Sequence, residues 1–150
     1  IEKMTQIIES VEDSDLIKLP VNDPKIKTKR FITKSICYHA AIMANDIEAK
    51  VINTLTNSGY TAFQISAWRP KAHILAYTSN RRMLTQLSLL WGVTAFWYDK
   101  YESTDVTIED INKIATDNNY VQTGDYTINL ASMNINEKGM VNTIRVSEIE

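Results

Sequence analysis

The chain has 150 residues, of which 44% are hydrophobic and 23% are charged. This is the composition of one ordinary globular domain, and the chain is too short for a (β/α)8 barrel, which needs about 250 residues. Sixteen basic and eighteen acidic residues give a net charge of −2, so we expect no nucleic-acid partner. The single cysteine, Cys37, excludes an internal disulfide and favours a reducing, cytoplasmic compartment.

No feature of the sequence predicts a membrane partner. The longest apolar stretch, residues 87–98, is interrupted by Ser88, Gly92 and Thr94. It falls short of the roughly 20 residues that a spanning helix needs, and no secretory signal precedes the first predicted element. Because the chain begins at Ile1 and not at a methionine, we interpret it as a piece of a longer protein.

The first 30 residues predict a helix followed by a linker. Apolar residues recur at helical spacing in Ile1, Met4, Ile7, Ile8 and Val11. Residues 19–29 contain Pro20 and Pro24 and have no steady period, which indicates a linker. A basic cluster closes this stretch with Lys25, Lys27, Lys29 and Arg30. We interpret the cluster as a solvated face of the linker and not as a polyanion site.

A second amphipathic helix follows the linker. Its apolar stripe consists of Ile32, Ile36, Ala40, Met43, Ala44 and Ile47. Cys37 lies at the margin of this stripe, so we expect an inert and partly buried thiol there.

Strands and helices then alternate. Strands are predicted over residues 51–56, 73–78 and 93–98, and a helix over about 61–68 is ended by Pro70. A further helix begins after the capping residues Ser79 and Asn80. Its buried face is predicted to carry Met83, Leu84, Leu87 and Trp91. Gly92 is expected just past the end of that helix.

The last part of the chain predicts one helix and two strands. Thr107, with Asp110 three residues later, forms a weak capping box that opens the helix. The strands at residues 126–131 and 143–146 have no helix between them, so we expect one of them to run antiparallel. Since helices on short connections separate the first four strands, those strands should be parallel. The sequence therefore predicts an α/β fold, a three-layer α/β/α sandwich with a mostly parallel sheet of about five strands and an antiparallel last strand.

The turn after the first strand is the strongest candidate for a binding site. It is rich in hydroxyl, amide and glycine residues, which are Thr56, Asn57, Ser58, Gly59 and Thr61. Ligands of open α/β sheets bind beyond the carboxyl ends of the strands, and the start of a helix favours an anion such as phosphate. Many such turns are rich in these residues only because they cap a helix, so both interpretations stay open.

No catalytic constellation is present. His39 and His73 are isolated, and neither has a cysteine or a second histidine at metal-ligand spacing. The sequence has no Gly-x-Ser-x-Gly elbow, no Walker loop and no Gly-x-Gly-x-x-Gly motif. The tryptophans Trp68, Trp91 and Trp97 fall on or beside predicted buried faces, so we expect them to pack in the core. We expect no catalytic residue and no metal site in this chain.

Several stretches resemble the C-terminal domain of pyruvate kinase, in order along the whole chain. Residues 49–62 (AKVINTLTNSGYTA) resemble the first strand and the effector loop of that domain. Arg69-Pro70, residues 76–80 and residues 90–93 resemble its second and third strands and their surroundings. Gly124-Asp125 and residues 142–146 resemble its closing hairpin, and residues 1–15 look like the last helix of the catalytic barrel that precedes it.

The resemblance implies a domain division and a regulatory and assembly role. Residues 1–17 would be the last helix of the barrel domain, residues 18–30 a linker and residues 31–150 the C-terminal α/β domain. The full-length enzyme transfers a phosphoryl group from phosphoenolpyruvate to ADP in glycolysis, with Mg²⁺ and K⁺. Its catalytic residues lie in the barrel, so this chain alone is expected to be inactive. The implied partners are that barrel and the other subunits of a homotetramer.

The resemblance also implies a site for a phosphorylated effector, a sugar phosphate or a nucleotide. Its candidate residues are Thr56, Asn57, Ser58, Gly59 and Thr61, with Lys138 and Gly139 in a later loop that closes over the effector. This chain departs from the family by having Asn57 and Tyr60 where a basic residue is frequent, and by Glu137 in the later loop. These departures favour a mono-phosphorylated effector, or none, over a bisphosphate. A free-standing phosphometabolite sensor and a pure assembly domain remain alternatives.

Overall fold

The computed structural model describes residues 1–12, 14, 30–100, 103–132 and 140–150. The helices are α1 (Glu2–Glu12), α2 (Phe31–Asp46), α3 (Tyr60–Ala67), α4 (Arg81–Leu87) and α5 (Thr104–Asp117). The strands are β1 (Val51–Leu55), β2 (His73–Thr78), β3 (Val93–Trp97), β4 (Tyr126–Ala131) and β5 (Thr143–Glu148). Within the described residues, no helix is both long enough and apolar enough to cross a membrane.

The five strands form one sheet in the order β3-β2-β1-β4-β5. β1 is parallel to both β2 and β4, and β3 is parallel to β2. β5 is antiparallel to β4, with Ala131 opposite Thr143 at one end of the pair. The predicted mixed α/β sheet with an antiparallel last strand is confirmed. The central position of β1 places the turn that follows it in the middle of the carboxyl edge of the sheet.

One face of the sheet packs against α2, α3 and α4. Its core contains Ile52, Ile74, Ile128 and Leu130 from three adjacent strands, together with Cys37, Ala40 and Ala44 from α2. A smaller cluster joins Ala62 of α3, Ala76 of β2 and Leu87 of α4. The small side chains on α2 let this helix approach the branched side chains on the strands closely.

The other face of the sheet packs against α5 and carries a buried polar network. The Asn53 amide donates to the side-chain oxygens of Asn112 on α5, at 2.9 Å, and of Asn129 on β4, at 2.8 Å. The Thr127 hydroxyl also donates to the Asn112 oxygen, at 3.0 Å, and the Tyr77 hydroxyl donates to the Ile111 carbonyl at 3.0 Å. The network fixes the position of α5 over the sheet, since each bond requires one geometry.

α1 forms as the periodicity predicts, but no residue of it is buried. Its apolar side chains are exposed, with Met4 at 66% and Ile7 at 65%. A hydrogen bond of 3.2 Å from the Trp91 indole nitrogen to the Glu12 carboxylate connects α1 with the α4–β3 connection. The predicted linker at residues 18–30 lies outside the described residues, except for Arg30.

Three local predictions need correction. α4 ends at Leu87, so Trp91 lies beyond that helix and not on its buried face. Gly92 has the expected positive φ of 67°, but it lies in the turn that enters β3, where its carbonyl accepts the Ile74 amide at 2.9 Å. α5 begins at Thr104 and not at Thr107, because the Ser103 side chain accepts the Val106 amide and caps the helix earlier.

The aromatic run on β3 also differs from expectation. β3 is an edge strand, and Trp97 is 42% exposed instead of packing in the core. Its ring lies 5.0 Å from the guanidinium carbon of Arg81 at the start of α4. An edge strand has only one neighbour, so alternation along the sequence cannot tell how much of its surface a helix covers.

Candidate functional site

The candidate site is the turn between β1 and α3. The Thr56 amide donates to the Tyr77 carbonyl at 2.9 Å, which extends the pairing with β2 one residue beyond β1. Thr56 is buried, whereas Asn57 and Ser58 are exposed. The exposed part of the turn is therefore short and begins at a rigid strand end.

Gly59 is the residue that turns the chain into α3. Its φ of 74° is a left-handed conformation that L side chains rarely adopt. A Cβ atom there would lie 3.2 Å from the Met83 sulfur and 3.3 Å from a methyl carbon of Leu87. Glycine is needed both for the turn and for the close approach of α3 to α4.

Gly59 is the N-cap residue of α3, and no side chain among the described residues caps the first turn of this helix. By contrast, Asn80 caps α4 and Ser103 caps α5 through their side-chain oxygens. An uncapped start leaves backbone N–H groups directed outward at the positive end of the helix dipole, where an acceptor is favourable. Among the described residues, the Ser and Thr side chains of this turn form no N-cap hydrogen bond with α3.

Asn80 supports the turn from the neighbouring helix start. Its side-chain oxygen accepts the Arg82 amide at 3.1 Å, and its side-chain nitrogen donates to the Asn57 carbonyl at 3.3 Å. Its own amide donates to the Thr78 hydroxyl at 3.1 Å. One residue predicted only as a cap of α4 therefore also fixes the backbone of the candidate site.

Thr61 anchors the first turn of α3 in the core. Its carbonyl lies 4.0 Å from the Cys37 sulfur, a weak S–H hydrogen bond between α3 and α2. Cys37 is completely buried, more deeply than predicted. Burial raises the pKa of the Cys37 thiol to about 12, so the thiol stays protonated and inert at neutral pH.

Lys138 and Gly139 lie outside the described residues. The described residues that flank their segment are placed at the same sheet edge as the turn. β4 runs parallel to β1, with Leu130 next to Thr54, and the Asn142 amide donates to the Ala131 carbonyl at 3.2 Å. The described residues on both sides of this segment therefore lie beside the end of β1.

Arg30 is the site-adjacent residue that sequence reasoning missed. Its guanidinium carbon lies 4.3 Å from the centre of the Tyr60 ring, at the first residue of α3. Arg30 is exposed, as expected for a solvated cluster, but it is also held against the candidate turn. The other members of its cluster, at positions 25, 27 and 29, lie outside the described residues. Only Tyr60, an aromatic residue next to the turn, could have signalled this cation–π contact.

The described residues contain no group of three or more His, Cys, Asp or Glu side chains that could hold a metal ion. His39 and His73 are both exposed and lie on different elements, on α2 and at the start of β2. The part of the chain that the structure describes therefore provides a candidate anion site and no metal-ligand cluster.

Comparison with known proteins identifies the class of domain. The family model described as "Pyruvate kinase, alpha/beta domain" matches residues 34–147. The chain therefore belongs to the pyruvate kinase α/β domain family. This agrees with the resemblance of the sequence to the C-terminal domain of that enzyme.

Individual relatives are pyruvate kinases. The enzyme of Clostridium acetobutylicum is 35% identical over 126 residues, which is 84% of this chain and 26% of that protein. The enzyme of Lactococcus lactis subsp. lactis is 32% identical over 127 residues, 85% of this chain and 25% of that protein. The chain thus spans about a quarter of the length of these relatives.

A solved structure shares the fold. The crystal structure of a pyruvate kinase from Cryptosporidium parvum superposes with a TM-score of 0.70 and 23% sequence identity, over 99% of this chain and 26% of that chain. At this identity, the likeness supports the architecture of the sheet and its helices.

Proposed function

We propose that this chain is the regulatory and assembly domain of a pyruvate kinase and acts beside a catalytic barrel. The family match over residues 34–147 is the observation that carries the proposal. In the full-length protein, the barrel would transfer a phosphoryl group from phosphoenolpyruvate to ADP in the cytoplasm, as a step of glycolysis. In this proposal, Mg²⁺ and K⁺ take part in the reaction of the barrel.

In the proposed domain division, residues 1–17 form the last helix of the barrel and residues 18–30 the linker. The exposed apolar stripe of α1 supports this division. Ile7 is 65% and Ile8 is 52% exposed, and an amphipathic helix is stabilised mainly by burying such a stripe against another element.

The proposed division of labour makes the isolated chain inactive. A coupled assay of pyruvate formation from phosphoenolpyruvate and ADP, with Mg²⁺ and K⁺ present, should show no turnover above the buffer rate. Robust turnover by the purified chain would contradict the assignment of catalysis to the barrel.

The effector site in this proposal comprises Thr56, Asn57, Ser58, Gly59 and Thr61, closed by Lys138 and Gly139. The uncapped start of α3 supports it, since its N–H groups and the Ser58 hydroxyl can donate to the oxygens of one phosphate. The effector class is a phosphorylated metabolite, a sugar phosphate or a nucleotide. A single phosphate fits a turn whose own residues carry no positive charge.

Calorimetric titration with sugar phosphates and nucleotides tests this site. Ser58→Ala should weaken binding about tenfold or more, because a hydrogen bond to a charged group contributes about 1.5–3 kcal/mol. Thr61→Ala should weaken binding as well, through the first turn of α3. Thr123→Ala is the matched control, an exposed hydroxyl in the loop before β4, and should leave binding unchanged.

Two alternatives have separate outcomes. If no phosphorylated ligand binds at millimolar concentration, the domain serves assembly alone. If the coding sequence upstream of Ile1 encodes no barrel, the chain is a free-standing phosphometabolite sensor. For the leading proposal, we expect the full-length protein to sediment as a homotetramer in analytical ultracentrifugation.

A further inference from the structure

A groove of about 500 Å³ lies between α5 and the last strand, β5, and none of its lining residues belongs to the candidate turn. β5 is antiparallel to β4, and its Ser147 lies opposite Thr127 near the start of β4. The groove therefore extends toward the amino edge of the sheet, whereas the turn lies at the carboxyl edge. Pockets for small molecules have volumes of about 300–1,000 Å³, so this groove has room for one.

The floor of the groove belongs to the buried amide network. Asn112 lines the groove, and its side-chain oxygen already accepts the Asn53 amide at 2.9 Å and the Thr127 hydroxyl at 3.0 Å. These two bonds fix the orientation of the Asn112 amide. Its side-chain nitrogen has no hydrogen-bond partner among the described residues, so its N–H groups remain available to a ligand in the groove.

Ser147 places a second donor on the floor, from the β5 side. Its hydroxyl oxygen accepts the side-chain nitrogen of Asn129 at 3.1 Å, which leaves its O–H able to donate. Lys113 also lines the groove, and in the described part of the chain this exposed lysine forms no ion pair. Two positioned donors beside a lysine favour a carboxylate, which only accepts hydrogen bonds.

The end of the groove nearest the amino edge of the sheet is acidic. α5 connects the end of β3 to the start of β4, so it runs antiparallel to β4 and in the same direction as β5. Asp117 and Glu150 therefore line the same end of the groove, and both are exposed. At the other end, the charge of Arg145 is offset by Asp105, with which it forms an ion pair.

We propose that this groove binds an amino acid whose side chain ends in a cation, such as lysine. The ligand carboxylate accepts hydrogen bonds from Asn112 and Ser147 beside Lys113. Its terminal ammonium group lies at the acidic end, near Asp117 and Glu150. Asn112 and Asp117 are about 7.5 Å apart along the helix axis, which the four-carbon stem of lysine spans. The proposal goes beyond the proposed function, since it uses no residue of the candidate turn.

The test is titration of the complete, isotope-labelled chain with L-lysine, L-norleucine and cadaverine, followed by amide NMR. Norleucine lacks the terminal amine of lysine, and cadaverine lacks its carboxylate. We expect lysine to bind at least about fivefold more tightly than either analogue, because each analogue loses the contacts at one end of the groove. The side-chain N–H signals of Asn112 should shift saturably with lysine.

Two variants locate the binding. Asn112→Asp keeps an acceptor oxygen for Asn53 and Thr127 but replaces the N–H donors with a negative charge, so it should weaken lysine about tenfold or more. Asp117→Asn should weaken lysine about threefold and leave norleucine unchanged, since only lysine has the terminal ammonium group. Asp46→Asn is the matched control, at an exposed carboxylate of α2 that does not line the groove, and it should bind lysine as the parent chain does.

The outcomes bear on this groove alone. Cadaverine binding as tightly as lysine overturns the proposal, because the groove then attracts any cation. Norleucine binding as tightly, lysine binding unchanged by both Asn112→Asp and Asp117→Asn, or no saturable shift at tens of millimolar lysine overturns it as well. None of these results affects the proposed effector site, which the phosphate titrations test. The dispersion of the amide signals shows whether Asn112→Asp is folded, and the exposed Asp117→Asn decides the test if it is not.

Discussion

Both faces of the sheet contain an apolar core, but they differ in the polar groups that are buried with it. On the α2–α4 face, Ile52 and Ile74 are completely buried among other apolar side chains. On the α5 face, Asn53 and Asn129 are just as inaccessible, and each is held by hydrogen bonds. Ile52 and Asn53 are neighbours on one strand, so the difference arises from the alternation of side chains alone.

The comparison shows that burial and specificity are separate properties. Apolar contacts are non-directional, so the α2–α4 face is stabilised by any arrangement in which apolar side chains fill the space between helices and sheet. Hydrogen bonds between buried amides have narrow geometry, so the α5 face accepts only one placement of its helix. The candidate site begins at the end of β1, the strand whose residues belong to both faces.

The largest loss of stability is expected from a substitution on the α2–α4 face. Ile52→Ala should lower the free energy of unfolding by about 2–5 kcal/mol, because it removes buried methylene groups and leaves a cavity. Urea denaturation followed by circular dichroism measures this. Leu89→Ala serves as control, since Leu89 is 86% exposed, and it should change stability by less than about 0.5 kcal/mol. A loss below about 1 kcal/mol for Ile52→Ala would mean that this face repacks freely.

A smaller but still substantial loss of stability is expected from a substitution on the α5 face. Asn53→Ala should lower stability by about 1–3 kcal/mol, because it leaves the side-chain oxygen of Asn129 without its donor. The same urea titration measures it. If Asn53→Ala cost nothing, the amide network would not contribute to stability, and the contrast between the faces would be one of composition only.

A double-mutant cycle sharpens the contrast further. Asn53→Ala and Asn112→Ala remove the two ends of one 2.9 Å hydrogen bond between the sheet and α5. Their effects should be non-additive by about 0.5–3 kcal/mol, as for partners in one network. The pair Asn53→Ala and Lys113→Ala is the control, since Lys113 is exposed on the same helix, and its effects should add.

At neutral pH the smallest effect is that of Cys37 ionisation, because this effect appears only as the pH rises above the pKa of the unfolded thiol. Burial on the apolar face raises the pKa of Cys37 to about 12, whereas an unfolded thiol has a pKa of about 8.5. Above that pH the unfolded chain binds fewer protons than the folded one, so stability should fall as pH rises toward about 12. Burial also raises the pKa of Tyr77, which adds a loss of the same sign above about pH 10.

Urea denaturation at about pH 8 and about pH 10 measures the slope of stability with pH. Cys37→Ala should have a flatter slope than the parent chain over this interval. Both chains contain Tyr77, so its contribution cancels when the two slopes are compared. Identical slopes for the two chains would mean that the Cys37 thiol ionises in the fold, against the apolar character of its face.

The positions of the strands could be predicted from the sequence because they depend on residues that are close together along the chain. β2 and β4 occur with their predicted bounds, and β1 differs by one residue. Each strand is a run of strand-favouring residues between residues that interrupt strands, such as Pro70 and Gly124. Residues next to the strand therefore determine where it begins and ends. The position of the candidate turn follows directly from the end of β1.

Helix ends and contacts across the fold were less predictable. α4 stops at Leu87 although apolar residues continue to Trp91, because the chain must turn to reach the edge strand β3. The stacking of Arg30 on Tyr60 joins residues 30 positions apart, and no spacing rule reaches that far. The Asn80 contact with Asn57 is likewise visible only when α4 and the turn meet.

The sequence by itself determined the element order, the α/β class, the antiparallel last strand and the turn between β1 and α3. These depend on periodicity and on residues that favour turns, which act over a few positions. Only the tertiary structure decided that the asparagines of β1 and β4 form one network with α5, and that Arg30 adjoins the turn. Such features depend on distances between segments remote in sequence, which are set when the layers pack together.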